Sequence, residues 1–295
     1  MSSIERYIDK LGKAGVSGTA SHDTSSAAES AILEGAVGAR VDAKTTRQEV
    51  VIDFEFLKAA GMLTPEASQG RLADEYRVIK RPLLKNAFSQ GVVEVPHGNL
   101  IMVTSALPGE GKSYTAINLA MSMAMEMDRT VLLVEADVAK PAVCRYCAIP
   151  EPQQGLVDYL VDSSIDLSDL LMKTNVPKLA LLPAGRRHPS SAELLGSHTM
   201  RDLMDQLANR YPDRVVIFDS PPLLLSNEAV TLSSLMGQIV VVIEAAKTQQ
   251  TQVKQAISLL DPKQTVGVVL NKNRTTEGMG YGSYGYGYGA TGQEE

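Results

Sequence analysis

The chain has 295 residues, 44% hydrophobic and 21% charged, enough to bury a sizeable core as one large domain with extensions or as two small ones. Its formal net charge of -6 at pH 7 excludes a general nucleic-acid binder, which needs a basic surface. No apolar run reaches the ~18 residues of a membrane-spanning helix, and the opening "MSSIERYIDKLGKAG" lacks the apolar core of a secretion signal. The expected location is therefore the cytoplasm, with any membrane attachment made through a partner.

In chain order, residues 4–13 read as a short helix with Ile4, Tyr7, Ile8 and Leu11 on one face. Residues 15–48 are rich in Ala, Ser, Gly and Thr and are expected to be mostly disordered. "VIDFEFLKAAGMLTPE" regains apolar residues and ends in a Gly turn and a Pro. From Ser68 to Phe88 the residues Leu72, Tyr76, Ile79, Leu83 and Leu84 recur at helical spacing, and Pro82 is expected to kink or interrupt that helix.

From Leu100 the pattern changes. "NLIMVTSA", "TVLLVEAD", "LALLPAG", "RVVIFDSPP", "IVVVIEA" and "VGVVLNK" are short apolar runs. Helical segments such as "SYTAINLAMSMAMEM", "SAELLGSHTMRDLMDQLANRY" and "TQQTQVKQAISLLD" separate most of them. Buried strands alternating with helices predict an α/β fold, a mostly parallel sheet covered by helices on both faces. The expected division is 1–50, a short helix plus disordered segment; 51–90, a helical extension; 91–274, the α/β domain; and 275–295, a flexible Gly/Tyr tail. Cys144 and Cys147 form one "CRYC" with no His or Cys pair nearby to complete a zinc site, so they read as reduced structural thiols.

Three strand ends carry the chemistry. The first run leads into "TSALPGEGKS", a strand, a loop ending Gly111-Lys112-Ser113 and then a helix, which is the phosphate-binding P-loop arrangement. Ala106 stands where the motif usually has Gly. Ala106, Pro108, Gly109, Glu110, Gly111, Lys112, Ser113 and Tyr114 are the expected nucleotide-binding residues, with successive backbone N–H groups around the phosphates. The second run leads to Glu135 and Asp137, two apart and so on one side if the strand persists. The third ends at Asp219. Carboxylates beside a P-loop hold Mg²⁺ or orient an attacking hydroxyl. Water as acceptor makes an ATPase switch; a tyrosine hydroxyl makes a kinase. The tail "YGSYGYGYG" holds Tyr281, Tyr284, Tyr286 and Tyr288, four of the 10 tyrosines of the chain.

Together these motifs resemble the bacterial tyrosine kinases, which use P-loop motifs: "SALPGEGKS", "LLVEADVAKP" with Glu135 in place of the usual first Asp, "FDSPP", and a terminal tyrosine cluster. "GMLTPE", "EYRVIKRPLLKNAF" and the Gly-Tyr tail are similar to the autokinases of exosortase systems and exopolysaccharide loci. The resemblance implies a P-loop NTPase fold and autophosphorylation of Tyr281, Tyr284, Tyr286 and Tyr288 in trans, regulating exopolysaccharide synthesis and export. It implies ATP on residues 106–113 and Mg²⁺ held by Ser113, Asp137 and Asp219. Lys112 would offset phosphoryl charge, and Glu135 or Asp137 would orient and deprotonate the incoming tyrosine. Asn271, after the last strand, takes the adenine contact. Asp74, Arg77 and Lys80 occupy the spacing of the E-x-x-R-x-x-R helix that docks on a neighbouring subunit in a ring, such as an octamer. The implied partners are a transmembrane polysaccharide co-polymerase acting as activator, which would bring the chain to the inner face of the membrane, and a tyrosine phosphatase. The alternative is an ATPase switch of the partitioning or division-site type. Those switches typically carry a Lys early in the phosphate loop, where this chain has Leu107 and Pro108.

Overall fold

The apolar runs after residue 100 form strands whose side chains alternate between two cores. The computed structural model describes residues 49–67, 69–88, 95–162 and 164–273. The expected helix over 4–13, the segment up to 48 and the tail tyrosines lie outside the described residues.

The elements, in order, are β1 (Glu49–Val50), α1 (Phe54–Ala59), α2 (Arg71–Phe88), β2 (Leu100–Ser105), α3 (Lys112–Ala124), β3 (Thr130–Glu135), α4 (Val143–Tyr146), α5 (Leu156–Val161) and α6 (Leu167–Leu170). There follow β4 (Met172–Thr174), β5 (Leu179–Leu182), α7 (Ser191–Leu195), α8 (His198–Asn209), β6 (Arg214–Asp219), α9 (Asn227–Ser233), β7 (Gln238–Glu244), α10 (Gln250–Ser258) and β8 (Thr265–Asn271). One sheet runs β1-β4-β5-β3-β6-β2-β7-β8, parallel throughout except for the β4–β5 pair. The chain is thus an α/β P-loop fold. All six apolar runs form strands; the short strands β1, at the edge, and β4, beside it, are additions to that reading.

Period two decides what each strand buries. Ile101, Val103, Val131, Leu133, Val215, Ile217, Val240 and Val242 face one core with α2 and α3. Leu100, Met102, Leu132, Val134, Val216, Phe218, Ile239 and Val241 face the other with α5, α8 and α9. Helix α3 is buried almost all round because α2 covers the side turned away from the sheet.

Helix α2 runs through Pro82 without a break. The carbonyl that Pro82 leaves unbonded belongs to Val78, which is 69% exposed, so water can take that bond. The stretch 191–209 is two helices, because Ser197 caps α8 by accepting from Met200 N.

Candidate active site

The sheet order sets β3, β6 and β2 side by side, with their carboxyl ends on one edge. Motifs far apart in sequence meet there, where open parallel sheets bind ligands.

After Ser105 the chain must turn into α3 within six residues, 106–111. Gly109 (φ 84°) and Gly111 (φ 99°) take left-handed conformations that other residues adopt only with strain. A Cβ on Gly111 would also stand 2.1 Å from Asn271 Nδ2. Gly111 is the N-cap of α3 and offers no side-chain cap, so the first N–H groups of the helix are open to an anion.

The loop is braced from beneath. The buried Glu110 carboxylate accepts from Leu107 N at 2.6 Å and from the Thr248 hydroxyl. Asn271 Nδ2 donates to the Glu110 carbonyl at 2.8 Å. Lys272 Nζ donates to the Gly109 carbonyl at 2.6 Å and pairs with Glu244 at 3.1 Å. The Asn271 amide is thus engaged with the loop. Thr248 and Lys272 are braces that the sequence reading missed. Lys272 directly follows Asn271, which was a usable signal; Thr248 has none. Tyr114 donates its hydroxyl to the Gly61 carbonyl at 2.5 Å, toward the segment after α1, so its side chain serves packing there.

Lys112 lies between two carboxylates, with Nζ 2.6 Å from Asp137 Oδ2 and 3.8 Å from Asp219 Oδ1. The Ser113 hydroxyl is 3.4 Å from the same nitrogen. Burial alone would lower the Lys112 pKa, but Asp219 and Asp137 outweigh it and raise it. Asp219 is fully buried, and neither of its oxygens has a hydrogen-bond partner. Burial pushes its carboxyl up to about 6, against the pull of Lys112 and Ser113. A buried carboxylate with no hydrogen bond and an ammonium no nearer than 3.8 Å is costly unless a closer cation joins it. With Ser113 and Asp137, Asp219 makes an oxygen donor set that suits Mg²⁺, a metal that takes one or two carboxylates and completes its shell with phosphate oxygens and water. Among the described residues no group of three His, Cys, Asp or Glu forms a metal cage by itself.

Glu135 behaves differently. One oxygen accepts from Ala142 N (2.5 Å) and Val143 N (2.6 Å), at the start of α4, and the other from Ala184 N at 3.4 Å. Burial raises its pKa although these N–H groups pull the other way. The structure therefore gives Asp137, and not Glu135, the ion pair with Lys112. The cavity beside Glu135, walled by Pro141, Cys144 and Pro183, measures about 40 Å³, room for water and not for a phenol. Cys144 and Cys147 are buried and free, and burial raises both thiols, that of Cys147 up to about 12.

The three oligomer-contact candidates separate. Asp74 and Arg77 pair with each other on the exposed side of α2. Lys80 corrects the expectation: it is buried, donating to the Ser122 carbonyl at 2.7 Å and pairing with Glu126 at 2.6 Å. Its ammonium is committed within the chain.

A family model described as an AAA domain matches residues 98–267, which include all three strand ends. Tyrosine-protein kinase YwqD of Bacillus subtilis (strain 168) is 35% identical over 188 residues, covering 63% of this chain and 77% of that protein. The chain belongs to the bacterial tyrosine kinases, within the AAA-domain family. Among solved structures, the chimerical protein CapA2B2 superposes with a TM-score of 0.61 at 25% identity, over 76% of this chain and 92% of that one. The succinoglycan biosynthesis transport protein ExoP of Rhizobium meliloti (strain 1021) is 35% identical over 185 residues, 60% of this chain but only 23% of its own length. For a bacterial tyrosine kinase, the switch alternative is not favoured. Among the described residues no helix is long and apolar enough to cross a membrane.

Proposed function

We propose that this chain is an ATP-dependent protein-tyrosine autokinase that phosphorylates Tyr281, Tyr284, Tyr286 and Tyr288 of a neighbouring copy. The observation that carries the reading is the Lys112–Asp137–Asp219 cluster at a braced P-loop, with neither Asp219 oxygen hydrogen-bonded. ATP phosphates lie along the N–H groups of residues 106–113, and Lys112 transfers its charge to them. That releases Asp137 from its ion pair. Asp137 then orients the phenol and takes its proton as the oxygen attacks the γ-phosphorus; the bond to the β-phosphate oxygen breaks and ADP leaves. Glu135 holds α4 in position. Ser113, Asp137 and Asp219 would hold Mg²⁺, which would supply charge neutralisation on the phosphates. Asn271 steadies the loop and borders the adenine.

The tail has the reach: Tyr281 lies ten residues beyond Asn271, up to ~36 Å of chain. Four phosphates would add about -6 to -8 charges to a chain of net -6, enough to drive crowded tails apart in a ring. Asp74 and Arg77 are the exposed candidates for the ring contact. The name of ExoP supports a role in exopolysaccharide synthesis and export. Such a role would use a transmembrane co-polymerase as activator and membrane anchor, and a phosphatase for reversal.

The test is mass spectrometry of the tail after incubation with Mg-ATP, comparing wild type with Lys112→Met. Phosphate on the four tyrosines of the wild type alone is expected. Nucleotide turnover with unmodified tyrosines would overturn the proposal.

A further inference from the structure

Strand β8 ends the sheet, and among the described residues it pairs only with β7. Its sequence, "TVGVVLN", carries no charge and no proline, the usual devices that blunt an open edge. Val266, Val268 and Leu270 share one face by period two. Val266 reaches the core, while Val268 and Leu270 are 49% and 55% exposed. A seven-residue uncharged edge with an exposed apolar stripe is a template for another strand.

The chain beyond β8 supplies a matching pattern. Tyr284, Tyr286 and Tyr288 alternate with Gly285 and Gly287, so an extended backbone would set all three rings on one face. Residues 274–283 give a connection of ten residues, ample to reverse direction beside a strand about 23 Å long. An antiparallel edge strand on an otherwise parallel sheet is common.

We propose that residues 284–288, unphosphorylated, add as an antiparallel strand to the free edge of β8 in their own chain, with the tyrosine rings on Val268 and Leu270. The short tether favours this occupant over a second copy, because it holds the segment at about millimolar effective concentration. Taken with the kinase reading, on which this consequence rests, the edge is a resting place for the substrate. Each phosphate brings about -1.5 to -2 charges, which cannot lie on apolar Val268 and Leu270, so modification releases the segment.

Hydrogen exchange of the full chain without nucleotide tests the docking. The outward-pointing amides of Thr265–Asn271 should exchange at least tenfold faster when residues 281–295 are removed. Tyr284, Tyr286 and Tyr288 changed together to Phe should keep the protection; changed to Glu, they should lose it. Equal exchange with and without the tail overturns the proposal. So does protection that grows with protein concentration, which would mean a second copy, or protection that is lost on removing residues 1–48 and kept on removing the tail. Because no ATP is present, protection can be seen in a catalytically dead protein and can be missing from an active one, so this result stands apart from the kinase test.

Discussion

Asp219 and Asp158 are both buried carboxylates close to the carboxyl edge of the sheet, and they have opposite surroundings. Asp158, in the first turn of α5, accepts from Gly155 N (2.9 Å), Arg186 N (3.0 Å) and Arg186 Nε (2.6 Å). Burial works against its ionisation, but the Arg186 and Gly155 hydrogen bonds hold its pKa below the ordinary range. Asp219 has no such partners, and its pKa is pushed up to about 6. A satisfied carboxylate stabilises the fold; an unsatisfied one is held by the surrounding fold for something that binds. The contrast separates structure from chemistry better than burial does, since both groups are hidden from water.

The sharpest way to break the contrast is Asp219→Asn. Autophosphorylation should fall by about 10²–10³-fold, the scale of losing one electrostatic group in an active site. The nucleotide-free protein should become more stable at neutral pH. In the folded protein Asp219 binds its proton up to pH about 6, in the unfolded chain only to about 3.8. As pH rises between these values, the wild type loses stability on the order of 2–3 kcal/mol, and the full cost stands above pH 6. Denaturant unfolding without nucleotide or metal should show a gain for the Asn variant at pH 7 that shrinks toward zero near pH 4. A flat difference across that range would mean that Asp219 is not strained.

For Asp158→Ala the signs reverse. Unfolding should cost about 2–3 kcal/mol less, because three donors lose their acceptor. The wild-type contribution is present above pH 3.8 and is lost as pH falls through the depressed native pKa. Kinase activity per folded molecule should change little. A large activity loss at unchanged stability, read from kinetics beside the unfolding curve, would erase the distinction.

The sequence made the edge legible but not the fate of each group on it. Apolar runs ending in Asp or in Gly-Lys-Ser mark strand ends directly, so the P-loop, Asp137 and Asp219 could be found. Glu135 could not be judged, because its partners are the N–H groups of Ala142 and Val143, brought back by a short helix that carries no strong pattern. Strands β1 and β4, two and three residues long, are too short to show a period. Lys80 was misread for a geometric reason. Steps of three residues fall short of a turn, so position 80 lies about 120° round the helix from position 74, on the buried side.

That geometry gives a smaller comparison inside α2. Lys80→Ala should destabilise the protein by about 1–3 kcal/mol, since it leaves the Ser122 carbonyl and Glu126 without their cation. Arg77→Ala should cost no more than about 1 kcal/mol, as for a largely exposed pair. If Arg77 makes the ring contact, only its variant should change the sedimentation of the assembly while its unfolding midpoint stays close to wild type. Equal sedimentation for both variants would remove α2 from the interface.

The smallest effect expected comes from Tyr114→Phe, which removes one hydroxyl. Tyr114 sits two residues after Lys112, so the sequence joins it to the phosphate loop, while its ring points the other way. Its phenol bonds the Gly61 carbonyl; nearby, Asn118 donates to the Tyr114 carbonyl (2.8 Å) and accepts from Leu63 N (2.6 Å). These bonds fasten the segment after α1 onto α3. Losing the hydroxyl should cost about 1 kcal/mol, because the Gly61 carbonyl then lacks a donor. The KM for ATP should not move. A shifted KM at unchanged stability would mean that the hydroxyl leaves Gly61 for the nucleotide, and Tyr114 would then belong to the binding site by its side chain as well as by its position.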